Sequence, residues 1–150
     1  MEITKKDLVN LFSTALYGNN WLVADYDYEK YKSLFDEGDC YEDKLAKIIL
    51  HGGEIELVDM NACDEDDGAY GNNNRTYYDK ERSAYVYPIN FADIGVGLQN
   101  ALDGDVTCHC GEESWLKEAA LRFINDSFEF DLVDADALMQ CIMFNELVYG

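Results

Sequence analysis

Proline occurs once, at Pro88, and no Gly/Ser-rich or Pro-rich stretch interrupts the chain. With no linker signal and no internal repeat, 150 residues read most simply as one domain, long enough for a core without metals or disulfides. Basic residues are scarce: eleven Lys and Arg stand against thirty-one Asp and Glu, a formal charge of −20. Phosphate contacts need clustered Lys and Arg, so direct nucleic-acid binding is disfavoured. No apolar run reaches the roughly 18 residues of a membrane span. The opening MEITKKDLVNLF has neither an apolar h-region nor a cleavage site, so a soluble, cytoplasmic protein is expected. Five cysteines (Cys40, Cys63, Cys108, Cys110, Cys141) are odd in number and irregular in spacing, and are expected as reduced thiols.

What is abundant is apolar and aromatic. A chain 48% hydrophobic, with eleven tyrosines and seven phenylalanines, is too apolar for a disordered acidic tail. Its charge far exceeds the magnitude of roughly 2–8 usual for a small soluble domain. Self-repulsion on that scale destabilises the compact state and needs a reason. A halophilic host fits poorly with eight lysines, three arginines and many bulky aromatics. Solubility alone needs far less. The remaining explanation is a basic partner, a cationic groove built for nucleic acid.

Helical and strand periodicities alternate along the chain. Thr4 and Asp7 form a capping-box signature, and Leu8, Leu11, Phe12, Ala15 and Leu16 predict a helix over 5–17 ended by Gly18. NWLVADY predicts a strand over 21–26, and YEKYKSLF a helical turn or two over 28–36. Asp39 and Glu42 repeat the capping pattern before a helix over 41–51 closed by Gly52 and Gly53. EIELVDM, 54–60, alternates acid and aliphatic as a strand does. The acidic, Asn-rich segment after it is a loop, and TYYDKERSAYVYPI predicts a strand pair or one bent strand. Asn90 and Asp93 cap a helix over 91–102, in which Gly95 and Gly97 either weaken the helix or permit close packing. Helices over 113–125 and 134–145 follow, the second leading into a possible short strand. The expected fold is α+β or α/β, with a small central sheet and about five helices.

Motifs for chemistry are faint. LVDMNACDEDDGAYGNNN offers hard oxygen ligands, but an EF-hand needs glycine at loop position six and glutamate at twelve. Registering on Gly68 puts Cys63 first and Asn74 twelfth; registering on Gly71 puts Gly68 third and Tyr77 twelfth. Both fail, which leaves a non-standard calcium site or a solvated loop. Cys108–His109–Cys110 lacks the second ligand pair of a zinc site, so Cys63 and His51 would have to complete it. A Cys–His dyad from Cys108 or Cys110 with His51 has nothing to fix its geometry, and no catalytic residues are assigned. No cofactor motif is present: GVGLQN is followed by no lysine, and G-x-S-x-G and G-x-G-x-x-G do not occur.

The position of the charge says more than its amount. Residues 53–74 hold seven acids and residues 123–150 six, with no Lys or Arg in either stretch. Local i,i+4 neutralisation is therefore impossible there. Asp64, Glu65, Asp66, Asp67, Asp126, Glu129, Asp131, Asp134 and Asp136 are the candidate contacts to a basic protein, with Tyr70 as an aromatic anchor. Tyr26, Tyr28, Tyr31, Tyr77 and Tyr78 suit the same anchoring role.

Four segments, ALYGNNWLVADYDYEKY, GDCYEDKLAKIIL, ELVDMNACDEDDGAYG and ADALMQCIMFNELVYG, together resemble a family of small acidic proteins carried on conjugative elements and phage-like regions of gut anaerobes. The resemblance implies a setting, cargo on mobile DNA in a host cell, and brings no catalytic residues with it. Antirestriction and anti-CRISPR inhibitors are small acidic proteins of that setting. That setting strengthens the expectation that the clustered acids raise, a non-enzymatic DNA mimic directed at a defence nuclease such as a Cas effector or restriction enzyme. A calcium- or zinc-binding regulatory module and an enzyme with an unfamiliar site are the alternatives.

Overall fold

The computed structural model describes residues 2–61, 64–71, 75–108 and 114–149. Its chain is a mixed α+β fold in which a layer of helices packs on one face of an antiparallel sheet. Thr4 caps α1 (Lys5–Gly18) through the expected reciprocal pair: its hydroxyl accepts from Asp7 N, and Asp7 accepts from Thr4 N. After β1 (Leu22–Asp25) comes a single turn, α2 (Tyr28–Tyr31), capped by Asp27 and continued by a 3-10 turn over Lys32–Leu34.

The cap of α3 (Tyr41–Leu50) lies one residue later than the sequence reading placed it. Cys40 is the N-cap and Asp43 its partner, whose carboxylate accepts from Cys40 N at 3.1 Å. Asp39 instead accepts from Lys47 Nζ at 2.6 Å, and Glu42 is buried. Asp39 has an ion pair across the turn to satisfy it, so it is not needed as a cap.

The sheet runs β1–β2–β4–β3, with β2 Ile55–Asp59, β3 Tyr77–Asp79 and β4 Ala84–Ile89. TYYDKERSAYVYPI is thus a hairpin, β3 against β4. Period-2 alternation sorts the faces. Ala24, Leu57 and Tyr87 align across three strands toward the helices, and Ile55 faces Ile89 in the same layer. On the other face Val23, Val58, Val86 and Tyr77 form one row across all four strands, with Val58, Val86 and Ala84 as a small second cluster. Arg82 serves the acids of that face, at 2.8 Å from Asp79, 3.6 Å from Asp25 and 3.9 Å from Glu56.

Asn90 and Asp93 cap α4 (Phe91–Asp103) reciprocally, as the sequence predicts. Then come β5 (Thr107–Cys108), α5 (Ser114–Ile124), α6 (Leu132–Phe144) and β6 (Glu146–Leu147), which pairs in parallel with β5. The centre of the helical layer is α6, where Ala135 and every residue from Ala137 to Phe144 is buried. A helix apolar on all sides belongs inside a core. Leu138, Met139, Ile142, Met143 and Phe144 each contribute about 1.5–3 kcal/mol relative to exposure. Gln140, the polar member of the run, is satisfied: it accepts from Val148 N and Tyr149 N, each at 2.8 Å, and donates to Tyr149 O at 2.9 Å. That strap brings Tyr149 Oη within 2.7 Å of the buried Asp59 carboxylate.

The two glycines of α4 part company. A Cβ at Gly97 falls 2.6 Å from Ile142 Cα, so the absent side chain sets the α4–α6 distance, whereas a Cβ at Gly95 meets nothing within 4 Å. Gly97→Ala should destabilise by about 1–3 kcal/mol through overpacking. Gly95→Ala should stabilise by about 0.5–1 kcal/mol through helix propensity. Denaturant melts of the two variants check this, and shifts of the same sign would contradict it.

A candidate acidic interface

Asp64, Glu65, Asp66 and Asp67 form a stitched turn rather than a loose loop. Glu65–Asp67 is one turn of 3-10 helix, with Asp64 as N-cap and Asp67 returning its carboxylate to Asp64 N at 3.0 Å. Tyr85, on β4, donates its hydroxyl to Glu65 O at 2.5 Å. Farther along, Tyr70 N donates to Tyr87 Oη at 3.0 Å and Gly71 N to Glu146 Oε2 at 3.3 Å. Gly71 has φ +75°, and a Cβ there would lie 2.6 Å from Phe144 O, so no side chain could approach α6 as it does. Strand β4 and the end of α6 therefore hold the segment from both sides.

All four acids of the turn are exposed, and none has an ion pair among the described residues. Lys5, Lys6, Lys32, Lys47, Arg75, Arg82 and Arg122 are all placed on acids elsewhere. The local field registers at Tyr85, whose phenol is pushed above its ordinary pKa first by burial and then by Glu65, with Tyr78, Asp66 and Asp67 adding to it. Tyr70 is 39% exposed beside this turn, its ring 5.4 Å from Phe144 and 5.9 Å from Tyr149.

The second acidic stretch does not match the sequence reading. Asp134 is only 3% exposed: Arg122 Nε and Nη2 grip its two carboxylate oxygens at 2.6 and 2.7 Å, so it cannot meet a partner. Asp136 is half-buried and accepts from Trp21 Nε1 at 2.9 Å. Asp126 is exposed but paired with Lys6 at 2.7 Å. Asp131 accepts from Asp134 N as the N-cap of α6 and remains exposed, as does Glu129. The bases that neutralise this stretch come from Arg122, just outside it, and from Lys6 at the far end of the chain. Counting local Lys and Arg could not reveal them.

The two acidic stretches are not one patch. Gly71 touches Phe144 at one end of α6, and Asp131 caps the other end. Thirteen helical residues between them span about 20 Å.

Of the tyrosines proposed as anchors, Tyr28 and Tyr77 are exposed, Tyr77 donating to Glu56. Tyr31 is buried and accepts from Glu54 N, Tyr26 packs against Phe35 and Tyr41, and Tyr78 meets Tyr85 edge-on at 5.1 Å. Two aromatics escaped the sequence reading. Tyr85 alternates with Tyr87 on β4, a period-2 signal that was available; Phe128, inside an acidic turn, gave no periodic signal at all.

No three His, Cys, Asp or Glu side chains converge to hold a metal among the described residues, and Cys63, Asn72, Asn73, Asn74, His109 and Cys110 lie outside them. His51 is exposed at the C-cap of α3. A cavity of 610 Å³ opens between α4 and the end of α6. Arg75, Asp93, Asn100 and Asn145 rim it; the first two are paired with each other and the last two bond at 3.0 Å. Burial pushes the Cys141 thiol in its wall up to about 12, leaving no thiolate nucleophile at neutral pH.

Burial also raises the pKa of Asp136 against the opposing hydrogen bond from Trp21. A carboxyl with a raised folded pKa adds stability when protonated, below its unfolded value, and loses it as pH rises through the folded value. Asp136→Asn keeps the acceptor for Trp21 and removes the charge. Its melting temperature should exceed that of the parent at pH 7, with the gap closing below about pH 4. A lower melting temperature at pH 7 would show that the charge itself is needed there.

Comparison with family models, with curated proteins and with solved structures gives no match for this chain.

Proposed function

We propose that this protein is a non-enzymatic acidic inhibitor that occupies the cationic nucleic-acid groove of a host defence nuclease, such as a Cas effector or a restriction enzyme, in place of the nucleic acid. The supporting observation is the Asp64–Asp67 turn, four exposed carboxylates without an ion pair among the described residues, closed by its own cap and tied to β4 through Tyr85. A solvated surface needs no such bracing. A 3-10 turn advances about 2.0 Å per residue. Consecutive acids on it thus approach the density of duplex DNA, one charge per about 1.7 Å of axis. A groove built for that density attracts the turn at long range, and Tyr70 supplies an aromatic beside it.

Preorganisation matters because four like charges repel. The capping pair of Asp64 and Asp67, with the bond from Tyr85 to Glu65 O, meets that repulsion during folding rather than on binding. The rest of the surface bears on partner choice. With a net charge of −20, the chain repels nucleic acid, anionic membranes and copies of itself. A strongly basic protein is the binding partner this field favours.

The decisive experiment is a tagged pull-down from cells carrying nuclease-based defence systems, washed across a salt series, with and without competitor DNA. A basic nuclease should be recovered at low salt and lost on adding salt or DNA. Glu65→Lys with Asp66→Lys reverses the tip while leaving the Asp64–Asp67 cap intact, and should weaken retention by at least ~10-fold. Retention indifferent to DNA and to this double reversal would exclude the groove reading.

A further inference from the structure

Phe128 is 97% exposed, the most exposed large apolar side chain among the described residues. It is not on a loose tail. α5 ends in a Schellman-type closure, Ser127 N donating to Arg122 O at 2.9 Å and Asp126 N to Phe123 O at 3.1 Å. Asp126 takes the left-handed position at φ +52°, where glycine is the usual residue. Phe130 N then donates to Ser127 O, Glu129 N to Ser127 Oγ, and Asp131 caps α6. Two phenylalanines two residues apart thus face opposite ways. Phe130 packs on Phe123 at 5.4 Å and is buried, while Phe128 projects into solvent.

We infer that Phe128 is a preformed anchor that enters an apolar socket on a cationic protein surface. The inference rests on the proposed function for the partner's charge and not for the groove. Glu129, next in the chain, and Asp131, three residues on, are exposed and without an ion pair among the described residues, while Asp126, two residues before, is neutralised by Lys6. Leu132 and Val133, the first residues of α6, are exposed as well. An exposed aromatic with an acidic rim calls for a socket with a basic rim. A second copy of this chain or an anionic lipid surface would set like charges against Glu129 and Asp131, so charge selects a basic protein.

Placing p-benzoylphenylalanine at position 128 in cells carrying nuclease-based defence systems makes the benzophenone side chain the probe. Illumination should join it to another protein, at an apolar residue that mass spectrometry finds between Lys or Arg side chains. The same probe at Val96, exposed on α4, should give no such product. Phe128→Ser should leave the melting temperature unchanged, because nothing covers the ring, yet reduce retention of that protein at least ~10-fold. Absence of a crosslink, crosslinks to lipid or to this chain itself, or undiminished retention of Phe128→Ser would each overturn the anchor. A mapped socket on a basic protein that DNA does not displace would keep the anchor and end the groove reading. DNA-sensitive capture that ignores Phe128→Ser would do the reverse.

Discussion

The Phe144 ring, at the last position of α6, is the contact on which the rest of the structure depends. Tyr87 of β4 meets it at 5.0 Å, Tyr70 of the acidic segment at 5.4 Å, Trp21 at 6.0 Å and Tyr149 of the C-terminal strap at 6.2 Å. Sheet, acidic turn, strand entry and strap are thus joined at one aromatic cluster. Edge and tilted aromatic pairs each add about 0.5–1.5 kcal/mol beyond the area they bury. The cluster also governs electrostatics. It draws the Tyr149 hydroxyl onto Asp59, so that a fully buried carboxylate has a partner. Loss of Phe144 would loosen the acidic turn and the core together.

A chain with this much negative charge needs its few bases placed well. Arg82 serves three acids on the open face of the sheet, Lys47 two beside α3, and Arg75 joins Glu54 to Asp93. Exposed pairs of this kind are worth little singly. Their effect is local: exposed acids such as Glu37, Glu81, Asp103 and Glu118 have no ion pair among the described residues, and neither do the acids of the turn, Glu129 or Asp131. Arg122 and Asp134 are the extreme case, because a buried carboxylate without its guanidinium would be strongly destabilising.

Local signals made much of the fold legible. Thr4 with Asp7, and Asn90 with Asp93, announced two helices because a capping box is written within four residues. Alternation revealed β2 and the apolar run revealed β1. Long-range partners decided the rest. The start of α6 two residues earlier than expected follows from the Asp131 cap, hidden in an acidic string where any Asp could serve. β5 has two residues and exists only because β6 lies beside it. The candidate site divides likewise. Exposure of the 64–67 acids was readable from their density, whereas the pairing of Asp126 and the burial of Asp134 depend on residues 120 and 12 positions away.

The two exposed features of the proposed interface differ in physical kind, and that difference has a kinetic meaning. The acidic turn acts at a distance, so its contribution falls on the rate of encounter and on salt sensitivity. A ring such as Phe128 acts only at contact, by leaving water, so its contribution falls on the rate of escape. Between them runs α6, about 20 Å of buried helix with little freedom to bend. A partner able to engage both must carry its basic groove and its apolar socket at a fixed separation. Many basic surfaces can satisfy the turn alone; far fewer can satisfy turn, ring and spacing together. Selectivity in this reading therefore comes from the rigid core that sets the distance, more than from either surface feature by itself.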